Sequence, residues 1–152
     1  MTSLVPGQKA PAINAIDQNG EKITLAQFKG KKVVLYFYPA DDTPTCTKEA
    51  CNFRDNFALL RRKGYVVIGV SMDPPKKHQK FITKYDLPFP LIADEDRKVI
   101  DTYDVWHLKK FMGREFMGIV RTTFVINEKG IIERVIEKVD SANATAQILT
   151  PE

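Results

Sequence analysis

The two cysteines of the chain, Cys46 and Cys51, lie in one short stretch, YPADDTPTCTKEAC, at residues 38–51. A thiolate is both a nucleophile and a metal ligand, so the pair could serve redox chemistry or a metal site. Two cysteines are too few for a disulfide scaffold, and a reducing cytosol disfavours a permanent bridge. A metal site is also disfavoured, because His78 and His107 show no ligand spacing relative to the cysteines and are expected at the surface. Redox chemistry and inert buried thiols remain.

Cys46 is predicted to lie in the first turn of a helix. Thr43 is a suitable N-cap, and Pro44 is preorganised for the first helical position. Apolar residues then recur at steps of three and four as far as Leu60, and Gly64 follows as a stop. Unpaired backbone N–H groups and the helix dipole favour a thiolate at this end. Cys46 also continues the apolar stripe of the helix, so burial as an inert core residue is an equal alternative.

The spacing of the two cysteines limits how they can react with each other. Five helical steps place their Cα atoms about 8.7 Å apart and about 140° around the axis. A disulfide needs Cα atoms within about 7 Å, so an intact helix cannot bridge them. A bridge between Cys46 and Cys51 would therefore couple oxidation to local unwinding of residues 44–52.

The elements around the cysteines form a predicted strand, helix and strand. Residues Lys32–Tyr38 are apolar without alternation, as expected of a strand at the sheet centre, and Tyr65–Ser71 is a second such strand. A crossover of this kind is right-handed and makes the two strands parallel. Active sites in open sheets lie at the carboxyl ends of such strands, which is where the first strand delivers Cys46.

The remaining segments complete an α/β pattern. In chain order, the prediction is an N-terminal hairpin over 13–16 and 21–25, a helix of about ten residues that begins past Pro75 and runs to Tyr85, a short strand in 87–92, a short helix capped by Asp94 that runs to about Tyr103, a surface loop over 106–118, a hairpin over 120–126 and 131–138, and a last helix from Ser141. The order predicts one domain over residues 1–152, with a mixed sheet that helices cover on both faces. Thioredoxin-like folds have this order.

Composition excludes several classes of function. The chain has 23 Lys and Arg against 19 Asp and Glu, a net charge of +4, and 43% hydrophobic residues, enough for one core. Its basic residues form small clusters without interleaved aromatics, which indicates solvated surface and no nucleic-acid partner. A basic start followed by an apolar run is missing, as is any run of about eighteen apolar residues. We therefore expect a soluble, cytoplasmic protein without membrane contact.

The cysteine stretch resembles a known family. Pro39, Thr43 and Cys46 fit the P-x-x-x-T-x-x-C signature of peroxiredoxins, and Cys51 five residues later is similar to the bacterioferritin comigratory protein (Q-type) subgroup. The segment RTTF from Arg121 looks like the family's R-[ST]-x-F, and YDVWHLKKFMGREFMGIVRTTFVIN resembles the subgroup throughout. Thr45 is a departure, since the subgroup often has Gly before the first cysteine. Gly would ease unwinding, so Thr45 bears on the rate of that step.

The resemblance implies thiol-dependent reduction of hydroperoxides on a thioredoxin-like fold, without metal, haem or flavin. Cys46 would be the peroxidatic thiolate and become a sulfenic acid, which Cys51 would resolve as an intramolecular disulfide. A thioredoxin-like dithiol would restore both thiols. A pair within one chain needs no dimer, so a monomer is expected. This chemistry requires a Cys46 sulfur that solvent can reach.

The resemblance also implies roles for four neighbours. Arg121 and Thr43 would donate hydrogen bonds to the departing peroxide oxygen, and Arg121 would support the thiolate. Pro39 would wall the pocket, and Glu49 would orient Arg121. Each has an ordinary structural explanation as well: a helix cap for Thr43, a strand terminator for Pro39, a solvated helix residue for Glu49 and a surface charge for Arg121.

Two other functions compete with peroxide reduction. The first is a thioredoxin-like disulfide oxidoreductase, although such enzymes usually carry C-x-x-C where this chain has C-x-x-x-x-C. The second is a binding or holdase module with incidental thiols, which leaves the combination of Thr43, Cys46 and Arg121 unexplained.

Overall fold

The computed structural model describes residues 1–150 of the chain. Its strands are β1 (Asn14–Ile16), β2 (Lys22–Thr24), β3 (Lys32–Phe37), β4 (Tyr65–Ser71), β5 (Leu91–Ala93), β6 (Trp106–Phe111), β7 (Arg114–Ile119), β8 (Thr122–Ile126) and β9 (Ile132–Ile136). Its α-helices are α1 (Pro44–Asp55), α2 (Phe57–Arg62), α3 (Pro75–Tyr85), α4 (Lys98–Thr102) and α5 (Ala144–Leu149), and short 3-10 helices span Ala26–Phe28 and Ser141–Asn143.

A five-stranded mixed sheet forms the centre of the fold, in the order β5-β4-β3-β8-β9. β3 pairs in parallel with β4 and antiparallel with β8, which confirms the predicted crossover and the central position of β3. β1 and β2 pair separately as the predicted N-terminal hairpin. Among residues 1–150, every helix is too short or too polar to cross a bilayer.

Side chains of β3 explain why its sequence lacks alternation. Leu35 and Phe37 pack into the apolar cluster on one face of the sheet, where α4 lies. Tyr36 and Tyr38 pack into the cluster on the other face, which includes Cys46 of α1 and residues of α3 and α5. Both faces of the strand are therefore buried, and both favour apolar residues.

The predicted single helix from Thr43 to Leu60 is wrong in one respect, because it is divided into α1 and α2 at Asn56. Asn56 has φ −108° and ψ 13°, outside the helical region. Its side-chain amide donates to the carbonyl of Asn52 at 2.8 Å. A short amide side chain that competes for backbone groups in this way can interrupt a helix whose apolar periodicity continues.

The predicted surface loop at 106–118 is also wrong, because β6 and β7 form an antiparallel hairpin there. Met112 and Gly113 form its two-residue turn with positive φ angles of 50° and 77°, the backbone that such hairpins favour. The hairpin is buried at its base, where Ile119 belongs to the core, whereas Phe111, Met112 and Met117 farther along it are exposed. Because most of its residues are exposed, apolar and polar residues do not alternate and the strands give no periodic signal.

Two helices begin later than predicted. The carboxylate of Asp94 accepts hydrogen bonds from the backbone N–H groups of Val99 and Ile100, at 3.1 and 2.8 Å, but α4 begins only at Lys98. Ser141 opens a 3-10 turn, and α5 follows it. Asp94 therefore caps its helix from a distance across a turn.

Candidate active site

The helix α1 holds Cys46 in its first turn, as its third residue. Thr43 occupies the N-cap position with extended backbone angles, but its side chain makes no capping hydrogen bond. Its hydroxyl donates instead to the carbonyl of Ala40 at 3.3 Å, within the loop that follows β3. The predicted N-cap position of Thr43 is confirmed, but its side chain leaves the backbone N–H groups of the first turn unbonded, and these groups keep their positive potential beside Cys46.

Arg121 joins the reactive sulfur to a carboxylate. Its Nη2 donates to Sγ of Cys46 at 3.1 Å, and its Nη1 donates to Oε1 of Glu49 at 2.7 Å. The sheet register explains the meeting, because Phe37 at the end of β3 lies opposite Thr122, the residue after Arg121. The guanidinium therefore contacts both groups from the carboxyl edge of the central strand.

Cys46 is more enclosed than a fully open reactive thiol. It is 2% exposed and packs in the apolar cluster with Ala50 and Phe53 of the same helix. The expectation of an open sulfur is therefore wrong, and the core interpretation is right about burial. The Arg121 side chain that contacts the sulfur is itself 17% exposed.

Glu49 is a buried carboxyl whose pKa is set by two opposing effects. Burial raises its pKa, the Arg121 guanidinium lowers it, and the net result is a pKa of about 7. Its Oε2 is buried without a hydrogen-bond partner among the described residues. The expectation of a solvated helix residue is wrong, and the carboxyl changes charge near neutral pH while it contacts Arg121.

Cys51 lies on the same helix and is partly exposed, and both cysteines are free thiols. Helix α1 is continuous across them, as expected for unbridged thiols. The adjacent Asn52 fixes this part of α1: its Nδ2 donates to the carbonyl of Ala142 at 2.8 Å, and its Oδ1 accepts from the backbone N–H of Thr145 at 2.8 Å.

The loop between β3 and α1 is held by two consecutive aspartates. Asp41 points inward, where its Oδ1 accepts from the hydroxyl of Tyr38 at 2.6 Å. Asp42 points outward, where it accepts from Lys84 at 2.8 Å and from Tyr85 at 2.7 Å. Pro39 is half-buried in the same loop, and Thr45 just beyond it is exposed. The loop that precedes Cys46 is thus fastened to α3.

His78 lies in the core, so its predicted position at the surface is wrong. It is fully buried, with Nδ1 at 2.6 Å from Oδ2 of Asp41 and Nε2 at 2.9 Å from the carbonyl of Ile92. The helical spacing to Phe81 and Tyr85 put His78 on the apolar face of α3, and that signal could have predicted its burial. His107, also expected at the surface, is half-buried.

Asp73 completes this buried group. Its Oδ2 accepts from the backbone N–H of Asp41 and the hydroxyl of Ser71, both at 2.8 Å, and its Oδ1 lies 3.0 Å from Nζ of Lys77. Ligand atoms of Asp41, Asp73 and His78 lie within 4.8 Å of one another, close enough for a cation. Hydrogen bonds already use those atoms, so the group fits a polar anchor better than a metal site.

Comparisons with known proteins decide the family. The AhpC/TSA family model matches residues 6–135. The chain is 48% identical to the putative peroxiredoxin Bcp of Coxiella burnetii over 147 residues, 97% of each chain. It is 46% identical to the peroxiredoxin Bcp of Bacillus subtilis, over 94% of this chain and 91% of that one. This chain belongs to the AhpC/TSA family. It is a peroxiredoxin of the Bcp (Q-type) subgroup and a thiol peroxidase, so the two competing functions fall away.

Solved structures show the same fold for this peroxiredoxin. The bacterioferritin comigratory protein of Xanthomonas campestris, solved as trapped intermediate and ligand complexes in work on its alkyl peroxide reduction, superposes with a TM-score of 0.87 at 30% identity, covering 95% of each chain. A cysteine mutant of PrxQ from Xylella fastidiosa gives 0.89 at 27% identity, over 96% of this chain and 93% of that one. The thioredoxin-like fold is confirmed.

Proposed function

We propose that Cys46 is the peroxidatic thiolate of this peroxiredoxin and that Cys51 resolves it. The observation that supports the assignment is the chain of contacts from the Cys46 sulfur through the Arg121 guanidinium to the Glu49 carboxyl. A fixed cation favours the thiolate over the thiol, and the helix end adds to the effect.

In the first step, the Cys46 thiolate attacks the terminal oxygen of a hydroperoxide. A sulfur–oxygen bond forms and the oxygen–oxygen bond breaks, which leaves a sulfenic acid and an alkoxide or hydroxide that takes up one proton. Arg121 is placed to stabilise the departing charge because it already donates to the sulfur. Thr43 and Pro39 belong to the loop between β3 and α1, in which the Thr43 hydroxyl donates to the carbonyl of Ala40.

In the second step, the Cys51 thiol attacks the sulfenic acid, forms the disulfide and releases water. Because α1 holds the two residues apart, its first turns must unwind before this step. Peroxiredoxins act on hydroperoxides and are reduced by thioredoxin-like partners. We assign a thioredoxin-like dithiol as the reductant here, which returns both thiols by exchange.

Burial of Cys46 limits which hydroperoxides can reach its sulfur. A residue that is 2% exposed admits a terminal hydroperoxide group more readily than a bulky internal one. We further propose a monomer with one domain over residues 1–152, because the resolving thiol belongs to the same chain. We also propose a cytoplasmic location, because the cycle needs a reducing compartment to regenerate both thiols.

One titration tests the assignment. A single equivalent of hydrogen peroxide added to reduced protein should consume both thiols within seconds. Cys46→Ser should abolish turnover, and Cys51→Ser should stop at a sulfenic acid that dimedone captures. Slow loss of both thiols in the unaltered protein would remove the function, and full cycling by Cys51→Ser would remove the resolving role alone.

A further inference from the structure

The β6–β7 hairpin contributes one side chain to the neighbourhood of the active site. Lys109 is half-buried, whereas the next residue, Lys110, is exposed. The ammonium of Lys109 donates to the carbonyl of Ile119 at 2.8 Å. Ile119 is the last residue of β7 and lies two positions before Arg121. The Lys109 side chain therefore runs from the middle of the hairpin back to its base, toward the strand that carries the active-site guanidinium.

A glycine makes room for this path. Lys109 lies opposite Phe116, and His107 lies opposite Gly118, so all four residues share one face of the hairpin. A Cβ on Gly118 would lie 3.2 Å from Cδ of Lys109, closer than side chains normally pack. Gly118 has no positive φ angle that would require glycine. Space for the lysine side chain is thus a sufficient reason for glycine at this position.

The Lys109 ammonium, held at the carbonyl two positions before Arg121, is electrostatically linked to the charged groups of the site. Burial lowers the pKa of this ammonium, and the Arg121 guanidinium lowers it further, whereas the Cys46 sulfur raises it. The Cys46 sulfur also raises the pKa of Arg121, which Glu49 contacts, and that of Tyr36 in β3. Among Arg121, Glu49, Tyr36 and Lys109, only Lys109 comes from the hairpin.

We propose that Lys109 is a positioning residue for the Cys46 thiolate: tied to the Ile119 carbonyl across Gly118, it fixes the strand that carries Arg121 and adds a second positive charge beside the sulfur. The proposal rests on the proposed function, because it takes Cys46 as the reacting thiol. It gives the hairpin a function although most of its surface packs against nothing.

The test compares two adjacent lysines. In the Cys51→Ser background, Lys109→Met should move the pH midpoint of Cys46 ionisation, read from thiolate ultraviolet absorbance, upward by about 0.5 to 1 unit. The second-order rate constant with hydrogen peroxide, measured below that midpoint, should fall by roughly 3- to 10-fold. Lys110→Met is the matched control, because Lys110 meets only Glu115, at 3.5 Å on the exposed surface, and it should change neither value.

Two further variants separate charge from folding. Lys109→Arg keeps the positive charge and should retain the pH midpoint of Cys46 ionisation seen in the unaltered protein. If Lys109 had only a structural role, Lys109→Met would also leave this midpoint unchanged. Gly118→Ala should shift the midpoint in the same direction by a smaller amount and add nothing to Lys109→Met. A midpoint for Lys109→Met equal to that of Lys110→Met, or additive effects of Gly118→Ala, would overturn the proposal. An unreactive thiol in the parent protein would instead overturn the proposed function.

Discussion

The buried pair of His78 and Asp41 is expected to be the most sensitive polar contact outside the active site. The carbonyl of Ile92 can only accept, so Nε2 of His78 carries a proton. Nδ1 lies 2.6 Å from Oδ2 of Asp41, so one further proton is shared between them. The pair is then neutral as a unit, whichever atom holds that proton, and it needs both members.

Replacement of His78 by Phe removes the shared proton and leaves the Asp41 carboxyl, which has no solvent exposure, facing an apolar ring. Breaking one side of a buried pair typically costs about 3–5 kcal/mol. With a urea m-value of about 2 kcal/mol/M, the unfolding midpoint of His78→Phe should fall by roughly 1.5–2.5 M. Tyr38 still donates to the other carboxylate oxygen, which favours the lower end of that range.

The measurement is equilibrium urea unfolding at neutral pH, followed by circular dichroism. Lys84→Met is the matched control, because it breaks the exposed contact by which Asp42 ties the same loop to the same helix, and its midpoint should barely move. The double change of His78→Phe with Asp41→Leu should recover part of the loss, since it removes the buried carboxyl and leaves only the Tyr38 hydroxyl and the Ile92 carbonyl without these partners. Equal midpoints for His78→Phe and Lys84→Met would refute the reasoning.

Three further perturbations follow from the site. The folded-state pKa of about 7 for Glu49 lies above its ordinary value, so the stability it contributes is fully present below about pH 4.5 and is lost as pH rises through 7. Glu49→Gln should flatten this dependence, which amounts to about 2.5 kcal/mol between pH 5 and pH 8, in urea midpoints measured at those two pH values. Arg121→Met should lower the rate constant with hydrogen peroxide by about 10²- to 10³-fold in stopped-flow kinetics, and a loss below threefold would contradict its contact with the sulfur. Oxidation to the disulfide should remove amide-exchange protection within residues 44–52, whereas unchanged protection with a confirmed bridge would show that no unwinding is needed.

Strong local signals made much of the central unit predictable. β4 was predicted at Tyr65–Ser71 and is found there, and the end of α3 at Tyr85 was also correct. Both elements bury an apolar surface and are bounded by Gly or Pro, so the apolar pattern and the boundary residues predict the same limits. The pairing of β3 with the strand after Arg121 followed from the fold class, and it explains why a residue so distant in sequence meets Cys46.

The sequence predictions are wrong where tertiary contacts override the local sequence pattern. Most residues of the β6–β7 hairpin are exposed, so its two strands show no apolar alternation. Asn56 interrupts a helix whose apolar spacing continues, because a single side-chain hydrogen bond outweighs periodicity there. The apolar face of α3 predicts the burial of His78, but no local pattern predicts its contact with Asp41, which lies thirty-seven positions away.

The attachment of Asn52 to the start of the last helix has a consequence for the order of events in the catalytic cycle. Its neighbour Cys51 is anchored on that side, so the gap between the sulfurs has to be closed mainly by travel of Cys46. That travel takes the sulfur away from the guanidinium that had activated it. In the proposed cycle, formation of the disulfide would thus separate the sulfur from Arg121, and a second equivalent of peroxide would not react until a reductant restores both thiols.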